Sequence, residues 1–191
     1  MKYKYSYLLL VFFCCFTVRS VAQDSLVKET INARLSASYI IGAQVYNDNV
    51  LYNPGYTFSI AAYKPHSPYL NYGIGSSMFI LQTERFIPFY VDIISYKNEK
   101  PNSNFIQAQC GYSHAWSKHR TLMPNYTLKG GVYISIGTGR KVAISNTVSL
   151  LLHWAYVHQF ATMKYTVFGD NSYTETLNYD MFSLSISILS M

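Results

Sequence analysis

Eight runs in this chain alternate apolar with small or polar residues, and a period of two repeated so often points to β-sheet. The clearest run is the last, where Phe182, Leu184, Ile186 and Ile188 interleave with Ser183, Ser185 and Ser187. Val148, Leu150, Leu152, Trp154 and Tyr156 share one face of another, and Val132, Ile134 and Ile136 of a third. Ile106, Ala108, Cys110 and Tyr112, then Phe89, Val91 and Ile93, then Leu70, Tyr72, Ile74 and Met78 continue the pattern towards the N-terminus. Two weaker runs, Leu35 to Tyr46 and Tyr56 to Lys64, precede them. Most of these segments span about 9–13 residues, whereas strands of globular proteins usually have five or six. A tilted strand needs about 9–11 residues to cross a bilayer.

Composition agrees with a lipid-facing surface. Charged residues make up 13% of the chain and hydrophobic residues 50%, against roughly 25% charged in a soluble domain. A membrane helix does not explain the deficit. The longest charge-free stretch, Val142 to Met163, carries Ser145, Asn146, Thr147, Ser149, His153, His158 and Gln159, too polar for a helix in hydrocarbon. Placing Lys or Arg on the lipid face at mid-bilayer costs about 2–4 kcal/mol, so spanning strands should carry their charges at the ends. Lys64, Arg85, Lys97, Lys100, Lys118, Arg120, Lys129, Arg140, Lys141 and Lys164 are expected at strand ends or in loops. Asp92 is expected as the one charge in mid-strand, on the face opposite Phe89, Val91 and Ile93, and hence in a lumen.

The N-terminus assigns the compartment. Lys2 and Lys4, the apolar run Leu8 to Phe16, and Ser20 and Ala22 before Gln23 form a secretory signal peptide over residues 1–22. A short segment, 23–33, then leads to a single barrel domain over 34–191. Cys14 and Cys15 leave with the signal, so Cys110 remains alone and no internal disulfide is expected. Loss of Lys2, Lys4 and Arg19 brings the basic residues close in number to the nine acidic ones. No basic run exceeds Arg140-Lys141, so nucleic acid is not an expected partner.

An even number of antiparallel strands suits a closed up-and-down barrel with short turns at one end and long loops at the other. Gly137 to Lys141 reads as a tight turn. Further turns are expected at Lys64 to Tyr69 and Lys97 to Asn104, on the periplasmic side. Long exposed loops are expected at Tyr46 to Gly55, Trp116 to Thr127 and Gln159 to Asn178, with a short connection at Gln82 to Arg85. Tyr46, Tyr56, Tyr96, Tyr112, Trp116, Trp154 and Tyr156 are candidates for interfacial aromatic girdles.

Ile87 to Asp92, Gly111-Tyr112-Ser113, Gly130 to Gly139 and the processing site Ser20 to Gln23 make the chain resemble a known group. These are the small outer-membrane β-barrel proteins common in Bacteroidota, of the eight-stranded OmpA/OmpX-like size class. The resemblance implies an all-β transmembrane barrel in the outer membrane of a Gram-negative bacterium, in contact with its lipid. It carries no active-site motif, and the peptidoglycan-binding domain that follows some such barrels is not expected here.

The five histidines, His66, His114, His119, His153 and His158, are the chain's main candidates for catalysis or metal binding. A hydrolase of the lipid A-modifying kind needs Ser and His on one face, but His114 and Ser117 are oddly spaced and fall on opposite faces. His114 and His119 have a spacing seen in zinc sites, with no further ligands to complete a set. No catalytic, metal or cofactor residues are therefore assigned. Parity instead places Tyr90, Asp92, Gln107, Gln109, Tyr133, Ser135, Ser149, His153, Ser183 and Ser185 inside the barrel. Eight strands leave room for side chains and little else, so a polar plug is expected, with Asp92 receiving donors from Tyr, Gln or His153. The expected function is structural, or an interaction carried by the exposed loops with an extracellular or periplasmic partner. The first alternative is a soluble secreted lipocalin-like barrel with a small apolar ligand, in which Phe182, Leu184, Ile186 and Ile188 line the cavity and the serines face water. The second is a lipid A-modifying outer-membrane enzyme, which would need the Ser–His pair that the spacing does not supply.

Overall fold

The computed structural model describes residues 31–46, 49–117, 126–167 and 171–190. The expected signal peptide, most of the 23–33 segment, His119 and most of the Trp116 to Thr127 loop lie outside them. The elements are β1 (Asn32–Tyr46), β2 (Asn49–Tyr52), β3 (Gly55–Ser67), β4 (Leu70–Leu81), β5 (Glu84–Tyr96), β6 (Ser103–Ser117), β7 (Thr127–Ala143), β8 (Val148–Val167) and β9 (Asn171–Ser190). Each of the eight alternating runs falls on a strand. The first strand begins at Asn32, two residues ahead of the boundary expected at residue 34.

Neighbouring strands pair antiparallel in sequence order, and β1 pairs with β9 to close the sheet. β2 and β3 form one wall position. Ala43 pairs with Tyr52 and Ile40 with Gly55 in a single continuous register, interrupted only at Asn53-Pro54, where proline has no N–H to give. The result is a closed antiparallel barrel of eight strands. One circuit of the ladder runs from Asn71 through Ile94, Gln107, Gly137, Ala155, Ser183, Ile40 and Gly55. It returns to β4 at Leu81, ten residues further along. That stagger tilts the strands, typically by about 35–45° from the barrel axis.

The alternation resolves into an apolar outside and a filled inside. Phe182, Leu184, Ile186 and Ile188 are each more than half exposed, while Ser183, Ser185 and Ser187 are buried. The same outward placement holds for Phe58 and Ile60 on β3, Phe89 and Val91 on β5, and Ile134 and Ile136 on β7. This is the reverse of the lipocalin-like alternative, which required the aliphatic face to line a cavity, and it overturns that reading.

Several expected loops are strands. Gly137 to Lys141 lies within β7, and the reversal falls at residues 144–147 instead. The two glycines serve close approach between strands and not a turn. A Cβ on Gly137 would stand 2.5 Å from the Trp154 carbonyl oxygen, and one on Gly139 would stand 2.4 Å from the His153 Cβ. Gln159 to Asn178 is the continuation of β8 and β9 as a long hairpin, paired as far as Val167 and Asn171. Tyr46 to Gly55 likewise contains β2. The wall is therefore uneven. It is low at β4–β5, where pairing ends at Ile80 and Arg85, and high at β7, β8 and β9.

Candidate functional site: the sealed lumen

The interior has three layers. At the end carrying the described chain ends, Tyr63, Ile94, Tyr96, Phe105, Leu151 and Leu189 form a buried apolar plug. At the other end, Ile40, Phe79, Phe86, Val157, Tyr179 and Met181 belong to a second, larger one. Tyr96 thus fills the lumen, with Lys141 Nζ 4.6 Å from the centre of its ring, and is not part of an interfacial girdle. Tyr56, Tyr112, Trp116, Trp154 and Tyr156 do face outward.

Between the plugs lies a polar layer centred on Asp92, which is fully buried. Its carboxylate accepts from Arg34 Nη2 at 2.8 Å, Tyr63 Oη at 2.6 Å and Gln109 Nε2 at 2.8 Å. Gln107 Nε2 donates to both oxygens, at 2.9 and 2.7 Å. Tyr133 Oη extends the network by donating to Gln109 Oε1 at 2.7 Å. Tyr90 accepts from Ser77 at 3.1 Å, and its ring lies against that of Tyr133. Five strands (β1, β3, β5, β6 and β7) thus contribute to one connected group. A buried charge is tolerated when it is paired and its remaining lone pairs are satisfied, and Asp92 meets both conditions.

All ten residues that parity sends inward line the lumen, but two roles differ from expectation. His153 is no donor to Asp92. Its ring lies near Phe105, and its Nδ1 has no protein partner. Asp92 is also not the one charge in mid-strand, because Asp180 lies at the middle of β9 on the outer wall. Nor is it the one charge in the lumen, which Arg34 enters from near the start of β1 at 2% exposure. Arg34 also stacks over the Tyr63 ring, 5.2 Å from its centre. Parity could have found Arg34, because it lies in phase with Ser36 and Ser38 and out of phase with Leu35 and Tyr39. The alternating run read from the sequence began one residue later, at Leu35.

Small side chains fill the rest of the layer. Ser183, Ser185 and Ser38 form a hydrogen-bonded chain at 2.9 and 2.8 Å. The space left among Arg34, these serines, Gln109 and His153 is a cavity of about 30 Å³, enough for roughly one or two waters. At the low rim, Asn53 Nδ2 donates to the buried Glu84 at 2.7 Å, and Asn53 Oδ1 accepts from the Gln82 N–H at 3.0 Å. The break at Asn53-Pro54 thereby ties down the β4–β5 turn.

The other histidines are dispersed. His114 faces outward while Ser117 lies on the opposite side of β6, in keeping with their odd spacing. His158 Nδ1 lies 2.7 Å from Asp180 on the outer wall, and Tyr156 Oη also donates to that carboxylate. Around this pair stand Ile134, Phe160 and Phe182, and none of its hydrogen bonds among the described residues involves a Ser, Thr or Cys. No group of three metal-ligating side chains converges among the described residues.

No protein-family model matches the sequence, and no curated protein sequence matches it. The fold is shared with solved structures. The outer membrane protein OprG from Pseudomonas aeruginosa superposes with a TM-score of 0.60 at 6% identity, covering 85% of this chain and 96% of that one. Neisserial surface protein A (NspA) gives 0.52 at 10% identity, covering 83% and 96%. At such identities the likeness is one of architecture, an eight-stranded barrel of the outer-membrane type.

Proposed function

We propose that this protein is a non-catalytic barrel of the outer membrane of a Gram-negative bacterium, of the small kind common in Bacteroidota. In this reading it works as a sealed scaffold that displays its high wall at the cell surface. The observation that carries the proposal is the inversion of the barrel: aliphatic side chains ring the outside while Arg34 and Asp92 are locked together inside. Burying that outer face in lipid removes it from water, whereas no aqueous setting would do so. The export signal read over residues 1–22 supports the same location.

Two plugs and a buried ion pair leave no open channel, so transport through the lumen is not the proposed role. What the fold offers a partner is the β8–β9 hairpin. Above Asn178 the β9 edge is no longer paired with β1. On β7 the ladder with β6 ends at Val132, with side chains of Tyr112 and Ser113 bonding Gly130 and Gly131 and leaving Thr127 to Lys129 beyond it. Exposed backbone edges of this kind can accept another strand. The test is twofold. Reconstituted in a planar bilayer, the protein should conduct no steady current. In a Cys110→Ala background, Thr174→Cys should react with a membrane-impermeant maleimide on intact cells while Asn98→Cys should not. Steady conductance would refute the sealed lumen, and labelling at Asn98→Cys alone would reverse the orientation.

A further inference from the structure

The outer face of the β8–β9 hairpin changes chemistry in one direction. From the low end upwards the facing pairs are Leu150 with Ile188, Leu152 with Ile186, Trp154 with Leu184, and Tyr156 with Phe182. Above these stand His158 with Asp180 and Phe160 with Asn178, then Thr162 with Thr176 and Lys164 with Thr174. β7 adds Lys129 beside Thr162 and Thr127 beside Lys164 on the same face. An apolar band about 25 Å tall, crossed by tilted strands rising about 3.4 Å per residue, occupies roughly ten residues. Counted from Leu150, that band ends at Phe160, so Lys129 and Lys164 stand immediately beyond the hydrocarbon. On β7 the next outward charge is Arg140, eleven residues from Lys129 and paired with Leu152 near the floor of the band.

Lys129 and Lys164 are diagonal neighbours on adjacent strands, a separation of roughly 7–8 Å between backbones. Four threonines surround them. Among the described residues no carboxylate shares this face above Asp180. Glu175 lies on the other side of the hairpin, where Tyr165 Oη donates to it at 2.7 Å. The patch is thus cationic and rich in hydroxyls, and Phe160 joins it to the apolar wall below, past the His158–Asp180 pair. A soluble anion would use the upper half alone. A lipid carrying phosphate uses both halves at once.

We propose that Lys129 and Lys164 bind the phosphate of an anionic lipid whose acyl chains lie against Phe160, Tyr156 and Leu184. The inference rests on the membrane reading above. A lysine near a membrane surface strengthens the attraction to anionic lipid by about fivefold, and two by about thirtyfold. The readout is intrinsic, since the chain has two tryptophans and Trp154 lies on the wall that the chains would cover.

The full-length mature protein would be reconstituted into phosphatidylcholine vesicles containing chain-brominated phosphatidylglycerol, and tryptophan quenching measured against brominated phosphatidylcholine. The wild type should prefer phosphatidylglycerol by about tenfold or more. Lys129→Gln with Lys164→Gln should abolish that preference, while Lys97→Gln with Lys100→Gln, at the opposite end, should leave it intact. Equal quenching by both lipids in the wild type, or an unchanged preference in the Lys129/Lys164 variant, would overturn the site. Loss of the preference on adding millimolar inorganic phosphate would overturn the lipid in favour of a free anion. Absence of quenching by either brominated lipid would instead indict the membrane reading itself.

Discussion

The two sides of the same strands are built on different principles. On the outer wall, apart from the Tyr156–Asp180–His158 group, many aliphatic and aromatic side chains each meet the same requirement, contact with hydrocarbon, without depending on a named partner. In the polar layer of the lumen, Asp92 depends on Arg34, Tyr63, Gln107 and Gln109 together, and these are brought in by three other strands, β1, β3 and β6. The outside is redundant and the inside is not. Substitutions should therefore be graded by side before they are graded by size.

The largest effect is expected at the ion pair. Asp92→Leu leaves the Arg34 guanidinium buried without its counter-charge, and removing one partner of a buried pair costs about 3–5 kcal/mol. Urea unfolding of the reconstituted barrel should show that loss. Adding Arg34→Met to Asp92→Leu should restore most of it, because replacing both partners by apolar groups is often neutral or stabilising. A double variant no more stable than Asp92→Leu would show that the two charges are not coupled.

On the outer wall, a comparable loss requires a charge. Leu184→Arg places a guanidinium near the centre of the apolar band and should cost about 2–4 kcal/mol in the same assay. Within the lumen, Tyr63→Phe removes a 2.6 Å hydrogen bond to the carboxylate and should cost about 1.5–3 kcal/mol, the range for bonds to charged groups. Outside, Ile186→Leu exchanges one lipid contact for another and should stay within about 0.5 kcal/mol. If Tyr63→Phe proved as mild as Ile186→Leu, the contrast between the two sides would fail.

The sequence carries the outer side almost completely, because period two assigns each residue of a strand to a face without any knowledge of its neighbours. Phe182 to Ile188 needed no partner to be placed. It carries the lumen only in part. Parity sends Tyr90, Asp92, Gln107, Gln109, Tyr133 and His153 inward, but which of them meet depends on the register around the circumference. Arg34 and Asp92 are 58 residues apart, and no local spacing records their contact. His153 illustrates the same limit, since it shares the lumen with Asp92 yet lies beside Phe105. The hairpin extensions were hidden for another reason. Beyond the apolar band the outer face of β8 and β9 turns polar, as at Thr162, Lys164, Thr174 and Thr176, while the inner face mixes Ala161, Met163 and Leu177 with Tyr165, Tyr173 and Glu175. The alternation that marks a strand therefore fades while the strand continues. Gly137 and Gly139 misled because glycine serves close strand contact as well as turns.

The central claim is a closed barrel whose aliphatic face meets lipid, and heat-modifiable gel mobility of the mature chain tests it most directly. Recovered from the membrane fraction and left unboiled, the protein should run as a compact detergent-resistant species that shifts to the unfolded position on boiling. A soluble monomer with the same mobility before and after boiling would contradict the account.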